Sequence, residues 1–443
     1  MRSLARLALP LAAQYAVSAS LNLVAGLLIG QLGETAIAAV GLANQVFFLL
    51  QLLLFGATSG CAIFTAQYWG QEDVPSIRRT LGIALLLAST AGLIFFSIAA
   101  FIPTLALRTF TTDEAVIVLG AQYLRYLAPS FILLSLTAAY ASVSRSVGDV
   151  KTPMLASMVS LAFDILLAYL LIFGKFGLPQ MGAPGAAVAV TAARAVELAL
   201  LLTLLYRRRS PAAARLKELT SFTRPFFTAV VRRAVPVAMN ELLWALAVTT
   251  YTAVYARIGT DALAAVNMIV NIENLAFVIF IAITDATSVL VGNQIGAQDV
   301  PRAVKTGRSS LLLTIGFAAL VGLLLRLFAP YLLALYQVSE GVHETALRLL
   351  TVLALTLWVR SANMLLIVGV LRAGGDTRFA FIVDAGLIWS IGVPLAFIGA
   401  FVLHLPVYFV YPLVVSEEFA KFAIGLVRFR SRRWVNNLAA VGA

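Results

Sequence analysis

Residues 33 to 80 are written twice in this chain. GETAIAAVGLANQ (Gly33 to Gln45) and QYWGQEDVPSIRRT (Gln67 to Thr80) return as GTDALAAVNMIVN (Gly259 to Asn271) and NQIGAQDVPRAVKT (Asn293 to Thr306). No gap is needed to hold the register. Gly33, Ala36, Val40, Thr58, Gly70, Asp73, Pro75 and Thr80 fall on Gly259, Ala262, Val266, Thr284, Gly296, Asp299, Pro301 and Thr306. The same displacement sets Arg6 on Arg232 and Pro10 on Pro236. Chance rarely supplies so many gapless matches, Gly and Pro among them, so the chain reads as two copies of one ancestral half.

What each half folds into follows from hydropathy. Hydrophobic residues make up 61% of the chain and charged residues only 12%, where a soluble domain carries about 25% charge. Apolar runs of about 20 residues recur along the whole length, enough to cross a hydrocarbon core of ~30 Å. The expected fold is an all-α polytopic membrane protein. Turn and charge signals cut it into twelve transmembrane spans, near 7–30, 36–68, 80–103, 116–143, 153–174, 183–206, 233–257, 262–292, 307–328, 345–371, 378–403 and 406–428. Six spans per half is an even number, so the repeat is parallel, a pseudo-two-fold along the membrane normal. The division is a six-helix bundle over 1–206, a basic linker over 207–231 and a second bundle over 232–443.

The formal charge of +12 has two readings. A basic chain can bind nucleic acid, but these cations sit in short loops between apolar runs. Arg2, Arg6, Arg78, Arg79, Arg145, Lys151, the linker cations, Arg302, Lys305, Arg308, Arg372, Arg378 and the tail from Arg428 to Arg433 all fall on one side. The opposite loops hold Arg108, Lys175, Arg257 and Arg326. That asymmetry predicts an inner (plasma) membrane protein with both termini cytoplasmic and no nucleic-acid partner. The amino terminus resembles a signal peptide, yet its apolar run continues to about Ile29 and matches 232–255 in register, so it counts as the first helix. Cys61 is the single cysteine, and His343 and His404 are the only histidines. A zinc or haem site has almost no ligands to use, and no nucleophile-and-base constellation suits an intramembrane enzyme. Neither a cofactor nor enzymatic activity is expected.

Ionisable groups at membrane depth are costly and therefore functional candidates. Arg194 and Glu197, three residues apart, and Glu417 and Lys421, four apart, are spaced to pair locally. Arg360 lacks a local acid and is expected to neutralise one on another helix. Glu241 is more informative, because Trp244, Thr252 and Tyr255 follow on its helical face. An acid beside aromatics and hydroxyls suits an organic cation or a proton. Asn267, Asn271, Asn274 and Asp285 fall within about 40° of one another on a regular helix; Gln14, Ser18 and Asn22 form a weaker stripe. Polar stripes on apolar helices face protein or a wet cavity rather than lipid.

Six segments in order resemble the multidrug and toxic compound extrusion (MATE) transporters, most closely their bacterial branch. They are NLVAGLLIGQLGETAIAAVGLANQ (from Asn22), FGATSGCAIFTAQYWGQEDV (from Phe55), MGAPGAAVAV (from Met181), NELLWAL (from Asn240), GVLRAGGDTRF (from Gly369) and EEFAKFAIGLVRFRSRRWVNNL (from Glu417). The resemblance implies two six-helix bundles around a cavity that opens alternately to each side. It implies export of lipophilic, usually cationic small molecules driven by inward H⁺ or Na⁺. Two positions depart from the family pattern. Ala25 stands where relatives usually carry an acid in the first helix, and Ala168 where they often carry one in the fifth, with Asp164 one turn earlier. Coupling is therefore expected in the second half, at Glu241, Asp285 and Asp384, the last lying in a segment like the family's eleventh helix. Gln14, Asn22, Asp164, Trp244, Tyr255, Asn267, Asn271 and Asn274 are the expected substrate contacts. A sodium ion, were that the coupling ion, is expected near Asp285 and Asn271. The competing functions are a lipid-linked oligosaccharide flippase of the same superfamily and an uncoupled family member. The partners expected are a small-molecule substrate and the bilayer, with the protein a monomer.

Overall fold

A computed structural model describes residues 2–438; the side chain of Arg2 and residues 439–443, the end of the expected second bundle, lie outside the described residues. Among the described residues the regular structure is helical throughout, as it must be where no water is present to satisfy open strand edges. Eleven helices among the described residues are long and apolar enough to cross a membrane. They are α1 (Arg2–Gly30), α2 (Glu34–Gly70), α3 (Val74–Phe101), α4 (Glu114–Ser146), α5 (Lys151–Phe173), α6 (Ala183–Arg207), α7 (Arg224–Ile258), α8 (Thr260–Gly296), α9 (Val300–Leu333), α10 (Glu340–Arg372) and α11 (Thr377–Val402). The twelfth passage is broken at Ser416 into α12 (Val407–Val415) and α13 (Glu417–Arg430). The first piece is apolar, and the second opens on two acids.

The repeat seen in the sequence reappears as geometry. Helices α2 and α8 are both 37 residues long and occupy corresponding positions. Each ends in a reverse turn whose third residue is left-handed, Glu72 at φ 59° and Gln298 at φ 61°. The next residue caps the following helix: Asp73 accepts from the Ser76 amide at 3.1 Å, and Asp299 from the Arg302 amide at 3.1 Å. Such a cap satisfies a backbone donor that has no intrahelical partner. Pro75 and Pro301 sit in the first turn, where a missing amide hydrogen costs nothing. The recurring Asp-Val-Pro is therefore a helix start built twice.

The chain forms two compact units. One runs from Ala13 to Ala238; the other joins the residues up to Ala12 to those from Met239 onward. In the first unit α2, α3 and α4 pack on one another, and α6 packs on α4 and α5. The opening of α7 closes against α2, where Gly56 and Gly60 leave room only for the Ala238 and Ala234 backbone. In the second unit Leu4 and Ala8 of α1 join a core with Ile283, Ala286, Leu365, Val370 and Trp434. Ala8 and Ala286 are the repeat partners of Ala234 and Gly60, so the same small-residue crossing is made in each unit.

Two long helices are not regular. Helix α10 ends as a π-helix over Leu365–Arg372, and α11 contains π-helical turns at Ile388–Gly392 and Ile398–Val402. Gly392 and Gly399 lie in these turns with Pro394 between them, whereas Pro129 lies inside the unbroken α4. π-helical turns free backbone groups and concentrate at functional sites.

The segment between α6 and α7 is clamped to the first unit. Arg78 pairs with Glu218 at 2.5 Å and donates to the Pro211 carbonyl at 3.3 Å. Tyr206 donates to the Ala214 carbonyl at 2.6 Å, and Phe226 stacks on Tyr68. Gly82 of α3 lies against the Leu219 carbonyl, so any side chain there collides with backbone. Gly82→Leu should therefore cost about 1–3 kcal/mol by overpacking, read as a lower melting temperature in detergent and faster proteolysis between residues 207 and 223.

The Arg215 amide donates to Glu218 at 2.6 Å, and with Arg78 it holds the Glu218 carboxyl below its ordinary range. A depressed acid contributes at neutral pH and loses that contribution as the pH falls through its lowered value. Glu218→Gln should thus speed cleavage of the connector at neutral pH, and the contrast with the unmodified protein should vanish in strong acid.

Candidate functional site

Within the second unit, the acids and bases at membrane depth condense into one network. Its centre is Arg372, the last residue of the π-helical end of α10, only 3% exposed. Arg372 Nη1 donates to Glu241 Oε1 of α7 at 2.8 Å, and its Nη2 lies 3.9 Å from Asp384 Oδ2 of α11. Asp384 also accepts from Asn240 Nδ2 at 2.9 Å and from Lys421 Nζ of α13 at 3.1 Å. Lys421, 2% exposed, reaches Glu417 Oε1 at 3.3 Å and lies 3.8 Å from Glu418 Oε1. Asn363 of α10 closes the chain by donating to Glu418 Oε2 at 2.7 Å. Four carboxylates thus share two cations.

A second pair lies beside it. Arg360 of α10 meets Glu273 of α8 at 2.6 Å, touches the Tyr411 hydroxyl at 3.5 Å and stands over the Phe277 ring. This is the interhelical partner expected for Arg360. The two local pairs also form, Arg194 with Glu197 at 2.6 Å and Lys421 with Glu417. The Lys421 pair is no isolated staple, because Lys421 also bridges to α11.

Several readings of single residues change. Glu241 does not face an open site; its carboxylate is committed to Arg372. Trp244 is 41% exposed, while Tyr255 is 4% exposed in the core beside Tyr411. Eleven residues of regular helix separate them by about 16 Å, so the two do not contact one ligand. Asn267, Asn271 and Asn274 form an exposed stripe on α8, and Asp285 is half-buried further along. Sharing a face is not sharing a site: fourteen residues put Asn271 and Asp285 about 21 Å apart along the axis, which excludes one sodium ion held by both. Arg372 is not a loop cation, as its neighbourhood with Arg378 suggested; only Arg378 is exposed. In the first unit, Gln14 is buried with Oε1 unpartnered, Asn22 is exposed, and Asp164 keeps Oδ1 buried without a hydrogen bond.

Arg372, Lys421, Glu418, Asn363 and Asn240 carry the network alongside the expected Glu241 and Asp384. Asn240 directly precedes Glu241, and Arg372 lies in the GVLRAGGDTRF segment, so adjacency to recognised residues was the available signal. Asn363 gave none.

Ionisable groups paired at membrane depth are a feature expected of transporters. The comparisons agree. The family profile described as MatE matches residues 10–170 and 236–398, two stretches whose starts stand in the displacement that relates the repeats. The chain belongs to the MatE family, whose members are membrane transporters acting on small molecules. It is 24% identical over 437 residues to "Probable multidrug resistance protein NorM" of Thermotoga maritima, covering 98% of this chain and 93% of the relative. It is 28% identical to the protein of the same name from Rhizobium meliloti, covering 85% and 82%. Among solved structures it superposes on a mutant of the Vibrio cholerae MATE transporter VcmN with TM-score 0.90 at 20% identity, covering 99% and 98%. It also superposes on an outward-facing multidrug resistance MATE family transporter with TM-score 0.88 at 20% identity, covering 100% and 96%. The fold is therefore the one of these structures, twelve transmembrane helices in two bundles.

Breaking a buried pair strands the partner charge, at about 3–5 kcal/mol. Arg372→Gln should destabilise the protein on that scale in thermal or denaturant unfolding. Adding Glu241→Gln should recover part of the loss, because the pair is then removed together.

Proposed function

We propose that the protein is a cation-coupled antiporter of the bacterial inner membrane that exports lipophilic, cationic small molecules by alternating access, with H⁺ or Na⁺ as the driving ion. It acts as a monomer with both termini in the cytoplasm. The observation that carries this reading is the excess of acid in the buried network, four carboxylates on two cations. Such a cluster is short of positive charge at a depth where uncompensated charge is expensive. A proton or a monovalent cation meets the deficit, and a cationic substrate competes with it for the same carboxylates. Competition between two ligands that favour opposite facing states is sufficient for antiport. Relatives named "Probable multidrug resistance protein NorM" support the outward direction and the breadth of substrate. Glu241 and Asp384 are the coupling acids in this reading, with Arg372 holding both in place, and the exposed Trp244, Asn267, Asn271 and Asn274 are the substrate contacts.

Reconstituted in liposomes, the protein should accumulate a fluorescent lipophilic cation when a pH or a Na⁺ gradient is imposed. Failure of both gradients ends the antiport reading. Glu241→Gln should lower the gradient-driven rate by about tenfold or more, the scale of one lost charge-assisted hydrogen bond of ~1.5–3 kcal/mol.

A further inference from the structure

The four carboxylates of the network are not equally supplied with donors. Glu241 holds Arg372, Asp384 has donors on both oxygens, and Glu418 accepts from Asn363. Glu417 differs. Its Oε1 faces Lys421, which it shares with Asp384 and Glu418, while its Oε2 is buried and completes no hydrogen bond. The residue is 4% exposed.

The surroundings of that oxygen are specific. It lies against Gly392, at the end of the π-helical turn of α11, where an added Cβ would strike both Glu417 Oε2 and the Tyr251 hydroxyl of α7. The Tyr251 hydroxyl is itself buried without a hydrogen-bond partner. Two oxygens from different helices therefore converge on Gly392, where an added Cβ would have to displace them. A buried carboxylate with so few donors is costly. The Tyr251 hydroxyl, the group that interacts with it here, can donate to the carboxylate or accept from a protonated carboxyl, so a proton at this oxygen removes the charge and keeps a partner. The groups around Glu417 are Tyr251 and Tyr255 of α7, Asp384 of α11, and Lys421 and Glu418 of α13. The cation, Lys421, is divided among three acids.

We infer that Glu417 is the proton-carrying carboxyl of the network, binding H⁺ at Oε2 in the slot formed by Gly392 and Tyr251, while Glu241 and Asp384 stay ionised against their partners. The inference rests on the antiport reading and selects the proton as the driving ion. It moves the proton site from Glu241 and Asp384, which stay in the network as fixed charges, to Glu417. Protonation is a simple transfer: H⁺ from water forms an O–H bond at Oε2, and its release restores the carboxylate.

Infrared difference spectroscopy of the full-length protein in lipid, stepped in pH, reads this without requiring transport. The unmodified protein should show a protonated-carboxyl carbonyl band that titrates with pH. Glu417→Gln should lose it, while Glu241→Gln and Glu418→Gln retain it. Gly392→Ala keeps every acid but crowds the slot, and should shift the band or its titration midpoint. A band that survives Glu417→Gln, its absence from the unmodified protein, or a Gly392→Ala band unchanged in both respects overturns the assignment. Loss of the band in Glu417→Gln upholds the site even if no gradient drives transport, an outcome that would instead defeat the antiport reading.

Discussion

Compensation of charge at membrane depth is the constraint on which the second unit depends. A charged group in hydrocarbon is tolerated only when another charge or a dense set of hydrogen bonds meets it, and Arg372 meets two acids from two helices. Its position is secured from below. The turn after α10 carries Gly375 at φ 83°, a left-handed conformation that suits glycine. Trp434 and Leu438 cover Gly374 and Gly375 so closely that no larger residue fits. The Asn436 amide donates to the Gly374 carbonyl at 2.8 Å, and Arg428 pairs with Asp376 at 2.7 Å under the Phe379 ring. The segment following α13 thus acts as a clamp on the turn that aims Arg372.

The two copies share their frame and differ in what the frame carries. Caps, reverse turns and small-residue crossings recur, whereas the charged residues at depth do not. Position 47 of the first copy is Phe, tilted against Phe131 of α4 with ring centroids 6.0 Å apart. Its counterpart, Glu273, is ion-paired to Arg360 of α10. Asn44 and Ser59 answer to Val270 and Asp285, and Gln45 to Asn271. An aromatic contact in one half and a salt bridge in the other occupy the same structural slot, which is how a duplicated scaffold acquires one chemically active side.

Much of this was legible in the residues, and the reasons differ by level. The repeat and the apolar runs constrain backbone and environment, so the helices and the paired caps follow closely. Local pairs such as Arg194 with Glu197 follow from helical spacing alone. Long-range assignments failed where one dimension was ignored: Asn271 and Asp285 share an angle on α8 but not a height, and Tyr255 shares a face with Glu241 yet enters the core. Arg372 was hidden because a cation next to a Gly-Gly turn looks like a loop residue. Only the π-helical end of α10 turns it inward. Glu417 looked like half of a local pair, since the orphaned oxygen and the Gly392 slot arise from three helices that no sequence window contains.

The boundaries of the compact units fall inside helices, after Ala12 in α1 and after Ala238 in α7, two residues beyond Pro10 and Pro236. Severing the chain in its basic connector would therefore not yield two self-sufficient folds. Each fragment would begin with a helical segment whose packing surface had gone with the other piece.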